Sequence, residues 1–151
     1  MFTPATDLEV IQRLLLAATA GGIIGAEREF RRKSAGFRTN ILIAMGSALF
    51  TMLSATLATA AGGDSTRIAA QILTGIGFLG AGAIIRTGRD VHGLTTASTV
   101  WVNAALGMAA GGGQYHMTFI AVAITLMVLL ILAPIERAFE RWAREDRENR
   151  R

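Results

Sequence analysis

Cysteine is absent from the 151 residues, so the chain has no disulfide framework, no thiolate metal site and no thiol nucleophile. Histidine is scarce as well: His92 and His116 stand apart, and no HExxH motif or carboxylate pair accompanies them. The residue sets of hydrolytic and metal-dependent chemistry are therefore missing, and the sequence predicts neither an enzyme nor a bound cofactor. Charge is also in deficit, at 17% Asp, Glu, Lys and Arg against the ~25% of soluble domains. What remains is 52% hydrophobic with 17 glycines and a mean hydropathy of +0.44. These values predict a bundle whose outer surface meets lipid.

The stretch RIAAQILTGIGFLGAGAII (67 to 85) holds 18 uncharged residues after Arg67. At the helical rise this is ~27 Å, enough for a bilayer core, and the rest of the chain is expected to pack around it. Gly75, Gly77, Gly80 and Gly82 predict close helix packing, since glycines let backbones approach in lipid. Three of them spell GxGxxG, but the preceding strand and the acidic residue about 20 positions on that a dinucleotide turn requires are lacking, and position 100 is Val. Nucleotide binding is not expected.

Four further apolar segments give five expected spans, at 8 to 26, 39 to 61, 67 to 85, 94 to 110 and 117 to 133. The sequence thus predicts an all-α, polytopic membrane helix bundle over 1 to 134. A charged cytoplasmic tail follows over 135 to 151, an interfacial helix with six arginines and five acids from 136 on. Met1 to Asp7 reads as a short outer tail without the basic start of a cleaved signal peptide, and no soluble second domain is expected. In the first span, Glu9 and Arg13 are spaced for a helical ion pair, and Gly21 and Gly25 predict a second packing site. Asp64 is placed to cap the central helix, and Pro134 to mark the exit of the fifth span. Among the hydroxyls of the fourth span, Thr95 and Thr96 included, most would bond their own helix, while Asn103 would reach another.

The net charge of +4 and pI near 11 raise nucleic acid as a partner. The basic residues, however, flank apolar spans, as lipid contacts and topology signals do, so no nucleic-acid role is expected. With the N-terminus outside, 13 of the 15 basic residues fall on the inner side, leaving Arg13 and Arg67 outside. The positive-inside rule therefore predicts an N-out, C-in bundle.

The blocks GAEREFRRKSAGFRTNILIAMGSALF (25 to 50), RIAAQILTGIGFLGAGAIIRTG (67 to 88) and VHGLTTASTVWVNAALGMAAGGGQY (91 to 115) resemble the bacterial MgtC/SapB membrane family. The matching motif positions are Glu27, Arg28, Gly36, Arg38 and Thr39, then Arg67, Gln71, Gly77, Gly80 and Gly82, then Gly93, Leu94, Thr96 and Trp101. The resemblance implies an inner-membrane protein associated with magnesium homeostasis, and in some members with survival in low magnesium and inhibition of ATP synthase. His92 stands where the family usually has arginine, and the long cytoplasmic domain of virulence-associated members has no counterpart here.

Two functions compete. A magnesium carrier or channel needs hard oxygen ligands, yet no Asp or Glu lies inside spans two to five, so a pore would need several copies. A regulator binding a membrane protein partner fits the glycine-rich faces more directly. Either way, the functional chemistry is expected at the span ends. The polar set is Glu27, Arg28, Arg38, Thr39, Asp64, Arg67, Gln71, Thr95, Thr96 and Asn103, with Glu27 and Arg38 expected to meet. The lipid bilayer is the expected surrounding; a second copy and magnesium are further candidate partners.

Overall fold

The computed structural model describes residues 6 to 135 apart from 62, 65 and 89, together with 139. The expected outer tail over most of 1 to 7 and, apart from Phe139, the interfacial helix from 136 on lie outside the described residues.

A capping box starts the first helix: Thr6 accepts from the Glu9 N–H, and the Glu9 carboxylate accepts from the Thr6 N–H at 2.8 Å. Helix α1 then runs Asp7–Phe30. Its end has the double reverse bond of a Schellman turn, in which Lys33 N–H donates to the Arg28 carbonyl and Arg32 N–H to that of Glu29. Arg32 takes the left-handed conformation (φ 53°) that glycine usually supplies. Helix α2 (Phe37–Ala61) follows, then α3 (Arg67–Gly82), a two-stranded hairpin of β1 (Ile85–Thr87) and β2 (Asp90–His92), α4 (Leu94–Gly111) and α5 (Tyr115–Met127). A π-helical turn at Val128–Leu132 carries the last helix on to Ile135, so Pro134 lies within the helix rather than at its exit.

Helices α1, α2 and α4 form the core. Ala17 of α1, Ala44 and Ala48 of α2 and Ala110 of α4 are fully buried in one cluster. Small side chains let the backbones touch. A Cβ added at Gly21 would lie 2.5 Å from the Asn40 carbonyl oxygen, and at Gly25 2.9 Å from Phe37 Cα. The same holds between α4 and α2, where a Cβ on Gly107 or Gly111 would strike the backbone of Ala44 or Ala48. Gly107 and Gly111, unlike Gly21 and Gly25, carry no expectation from the sequence. Helix α5 packs on α1 and α4 through Val122, and α3 packs on α4 and α2 through Ile72 and Ile76.

The stretch expected at the centre is thus peripheral. Helix α3 stops at Gly82, so its 16 residues span ~24 Å, and Ile85 already belongs to a strand. A Cβ at Gly75, Gly77 or Gly82 would meet nothing within 4 Å, while at Gly80 it would touch Ala97 at 3.7 to 3.8 Å. The expected close approach is therefore absent within this chain at three of those four glycines. The GxGxxG glycines lie inside a continuous helix, not in a turn.

Among the described residues, three helices are long and apolar enough to cross a membrane: Asp7–Phe30, Phe37–Ala58 and Tyr115–Ile135. Arg86 and Asp90 lie in the strands of the hairpin, Arg86 opposite Val91 and Thr87 opposite Asp90. Gly93, which links hairpin to α4, must be glycine on two counts: its φ is +89°, and a Cβ there would collide with the Ala83 carbonyl.

Candidate functional site

Chain direction brings the end of α1 and the starts of α2 and α4 to one end of the bundle. There Glu27 and Arg28, 8% and 3% exposed, are the only buried charged residues among those described. Charges at such depth are costly unless paired. Glu27 Oε1 lies 2.5 Å from Arg31 Nε, one helical turn on, and its Oε2 lies 3.9 Å from Arg28 Nη1. Arg28 turns the other way and donates from Nη2 to the Thr96 hydroxyl of α4 at 2.9 Å, and the Ser34 hydroxyl reaches the same oxygen at 3.4 Å. One arginine therefore joins α1 to the first turn of α4, with the 31 to 36 loop laid over it.

A second polar layer lies deeper. Asn103 Nδ2 donates to Asn40 Oδ1, bonding α4 to α2, and both residues are fully buried. Asn40 Nδ2 in turn donates to the carbonyls of Ala35 (2.5 Å) and Gly36 (2.8 Å). The amide pair thus ties the α1–α2 loop to α4.

The expected meeting of Glu27 with Arg38 does not occur. Arg38 is exposed on the first turn of α2, facing away from the core, because the turn at Arg32 to Gly36 rotates it to the outside. The acid that does reach α2 is Glu29, whose Oε2 accepts the Phe37 N–H at 3.1 Å across Gly36. A Cβ at Gly36 would overlap that carboxylate and displace it from the Phe37 N–H.

Asp64 is not the cap of α3. Its Oδ1 accepts from both the N–H and the hydroxyl of Thr66, at 2.8 and 2.7 Å, an Asx turn one step earlier, and Thr66 holds the N-cap position. These two bonds, the backbone one foremost, hold the exposed Asp64 carboxyl below its usual value. Arg67 and Gln71 are exposed on α3, and Thr39 and Gln71 line a groove between α2 and α3. Thr95 is exposed and lends its carbonyl to the Thr99 hydroxyl. Arg13 forms no ion pair with Glu9 among the described residues; its Nη1 donates to the Gly111 carbonyl at 3.0 Å, where a cation suits the C-terminal end of α4.

Of the expected set, the structure brings together Glu27, Arg28 and Thr96, with Asn103 one layer deeper. Arg38, Asp64, Arg67, Gln71 and Thr95 lie apart from them. Sequence reasoning missed Asn40, Arg31 and Ser34. The signals were present: Asn40 is an amide inside an apolar span, as Asn103 is, and Arg31 follows Glu27 by four residues.

The architecture is that of a multi-pass helical membrane protein. The MgtC family model matches residues 14–138, and the chain belongs to that family. It is 48% identical over 127 residues to the Escherichia coli K12 protein named "Putative magnesium transporter YhiD", covering 80% of this chain and 59% of that one. With "Protein MgtC" of Brucella abortus it shares 45% over 122 residues, covering 80% and 50% of the two chains. With "Protein MgtC" of Salmonella typhimurium it shares 47% over 122 residues, covering 81% and 52%. The chain thus spans about half the length of the curated relatives it matches. No solved structure matches.

Proposed function

We propose that this protein is a non-enzymatic component of the bacterial inner membrane that serves magnesium homeostasis by regulating a partner, not by carrying the ion. Family membership and the relatives' names support the link to magnesium. The observation that carries the regulatory reading is the pairing of Glu27. Magnesium binds through carboxylates and waters in strict octahedral geometry. Here the one buried carboxylate among the described residues already faces two guanidinium groups, whose charge repels a cation. Around it, α1, α2 and α4 touch backbone to backbone, which favours a sealed core over a path for an ion. The polar cluster then acts as a clamp that holds the 31 to 36 loop and the first turn of α4 in one arrangement for a partner at the cytoplasmic face.

A second reading, transport by an oligomer, has in its favour the printed name of the Escherichia coli K12 relative. Purified protein in liposomes with a trapped magnesium indicator separates the two. No flux above protein-free vesicles is expected, while Arg28→Gln should abolish growth rescue in low magnesium at normal membrane levels. Flux that disappears in Glu27→Gln would establish transport instead.

A further inference from the structure

The groove between α2 and α3 has no role in the clamp. It holds about 930 Å³ and is walled by Leu42 and Gly46 on one side and Gly75 and Phe78 on the other, with Val100 of α4 at its floor. At one end it reaches Ala35, Thr39 and Ala83, where α2 begins and α3 ends. Thr39 is shared with a second hollow of about 550 Å³ that Arg38 and Glu29 also line. The apolar crevice and the hollow that bears Arg38 thus adjoin at Thr39.

We propose that this groove is a binding site for an anionic phospholipid, its acyl chains along the crevice and its phosphate at Arg38. Three observations fix the occupant. Arg38 is exposed and forms no ion pair or hydrogen bond among the described residues, so its charge is available. It lies in the first turn of α2 together with the Thr39 hydroxyl, a helix end that attracts negative charge and whose first N–H, that of Phe37, already holds the Glu29 carboxylate. The one nearby acid, Glu29, is held on the Phe37 N–H. The crevice matches acyl chains in chemistry: α2 and α3 pack on each other, and the hollow left between them is walled mostly by aliphatic, aromatic and glycine residues. Added Cβ atoms at Gly46 and Gly75 would meet nothing within 4 Å, so these glycines hollow the walls without serving the fold.

The test uses full-length protein in detergent, titrated with phosphatidylglycerol or phosphatidylcholine and read by native mass spectrometry. At least tenfold preference for phosphatidylglycerol is expected, falling severalfold in Arg38→Gln. Gly75→Leu, which fills the crevice, should lose both lipids while keeping the wild-type melting temperature. A photoreactive side chain in place of Leu42 should crosslink to lipid in phosphatidylglycerol nanodiscs. Equal binding of the two lipids, an unchanged preference in Arg38→Gln, full binding by a folded Gly75→Leu protein, or crosslinks to a second copy or another protein would each overturn the proposal.

Discussion

Asn40 and Asn103 show how much a single side chain can decide in an apolar bundle. Neither could be buried alone, because an unsatisfied amide costs about 1–3 kcal/mol. Together they bond, Asn40 accepting through Oδ1 from Asn103, while its amide nitrogen donates to the loop carbonyls. Asn103→Leu leaves the Asn40 oxygen without a donor, and a loss of about 1–3 kcal/mol is expected, read as a lowered melting temperature in detergent. A double-mutant cycle with Asn40→Ala should show strong coupling; additive losses would mean that the two amides do not depend on each other.

At the scale of elements, the glycines divide into two populations that look alike in sequence. Gly21, Gly25, Gly107 and Gly111 are where helices touch, whereas Gly75, Gly77 and Gly82 face open space. A methyl at Gly107 forces α4 away from α2, and overpacking of this kind typically costs 1–3 kcal/mol. Gly107→Ala should therefore reduce folded protein in the membrane. Gly77→Ala meets nothing and removes a weak helix former, so its stability should equal or exceed the wild type by up to about 1 kcal/mol. Equal melting temperatures for the two variants would contradict the α2–α4 packing.

For the whole molecule, the proposed orientation rests on the basic residues, 13 of which fall on the side taken as cytoplasmic. A reporter active only outside the membrane, fused after Arg151, should stay silent, and one fused within the Gly112 to Gln114 turn should be active. Activity at Arg151 would invert the bundle or remove a span. The Glu27 and Arg28 clamp, and the Arg38 end of the groove, would then face the other compartment.

Composition and hydropathy determined by themselves that this is a helical membrane protein, because lipid demands that backbone groups be satisfied internally and continuous apolar runs of this length do so as helices, whereas barrel strands alternate. The three motif blocks were likewise enough to point to the family. Polar residues in apolar surroundings, Glu27, Arg28, Thr96 and Asn103, could be singled out, since burying them demands partners. Which partners they found was decided only by tertiary structure. Glu27 could meet Arg31 or Arg38 by distance along the chain, and the left-handed turns at Arg32 and Ala35 settled the matter by aiming Arg38 outward. Helix α3 looked central because hydropathy and glycine content do not say which face has a neighbour. Its place at the edge was fixed by α1, α2 and α4, whose alanines and glycines leave no room for a fourth helix between them.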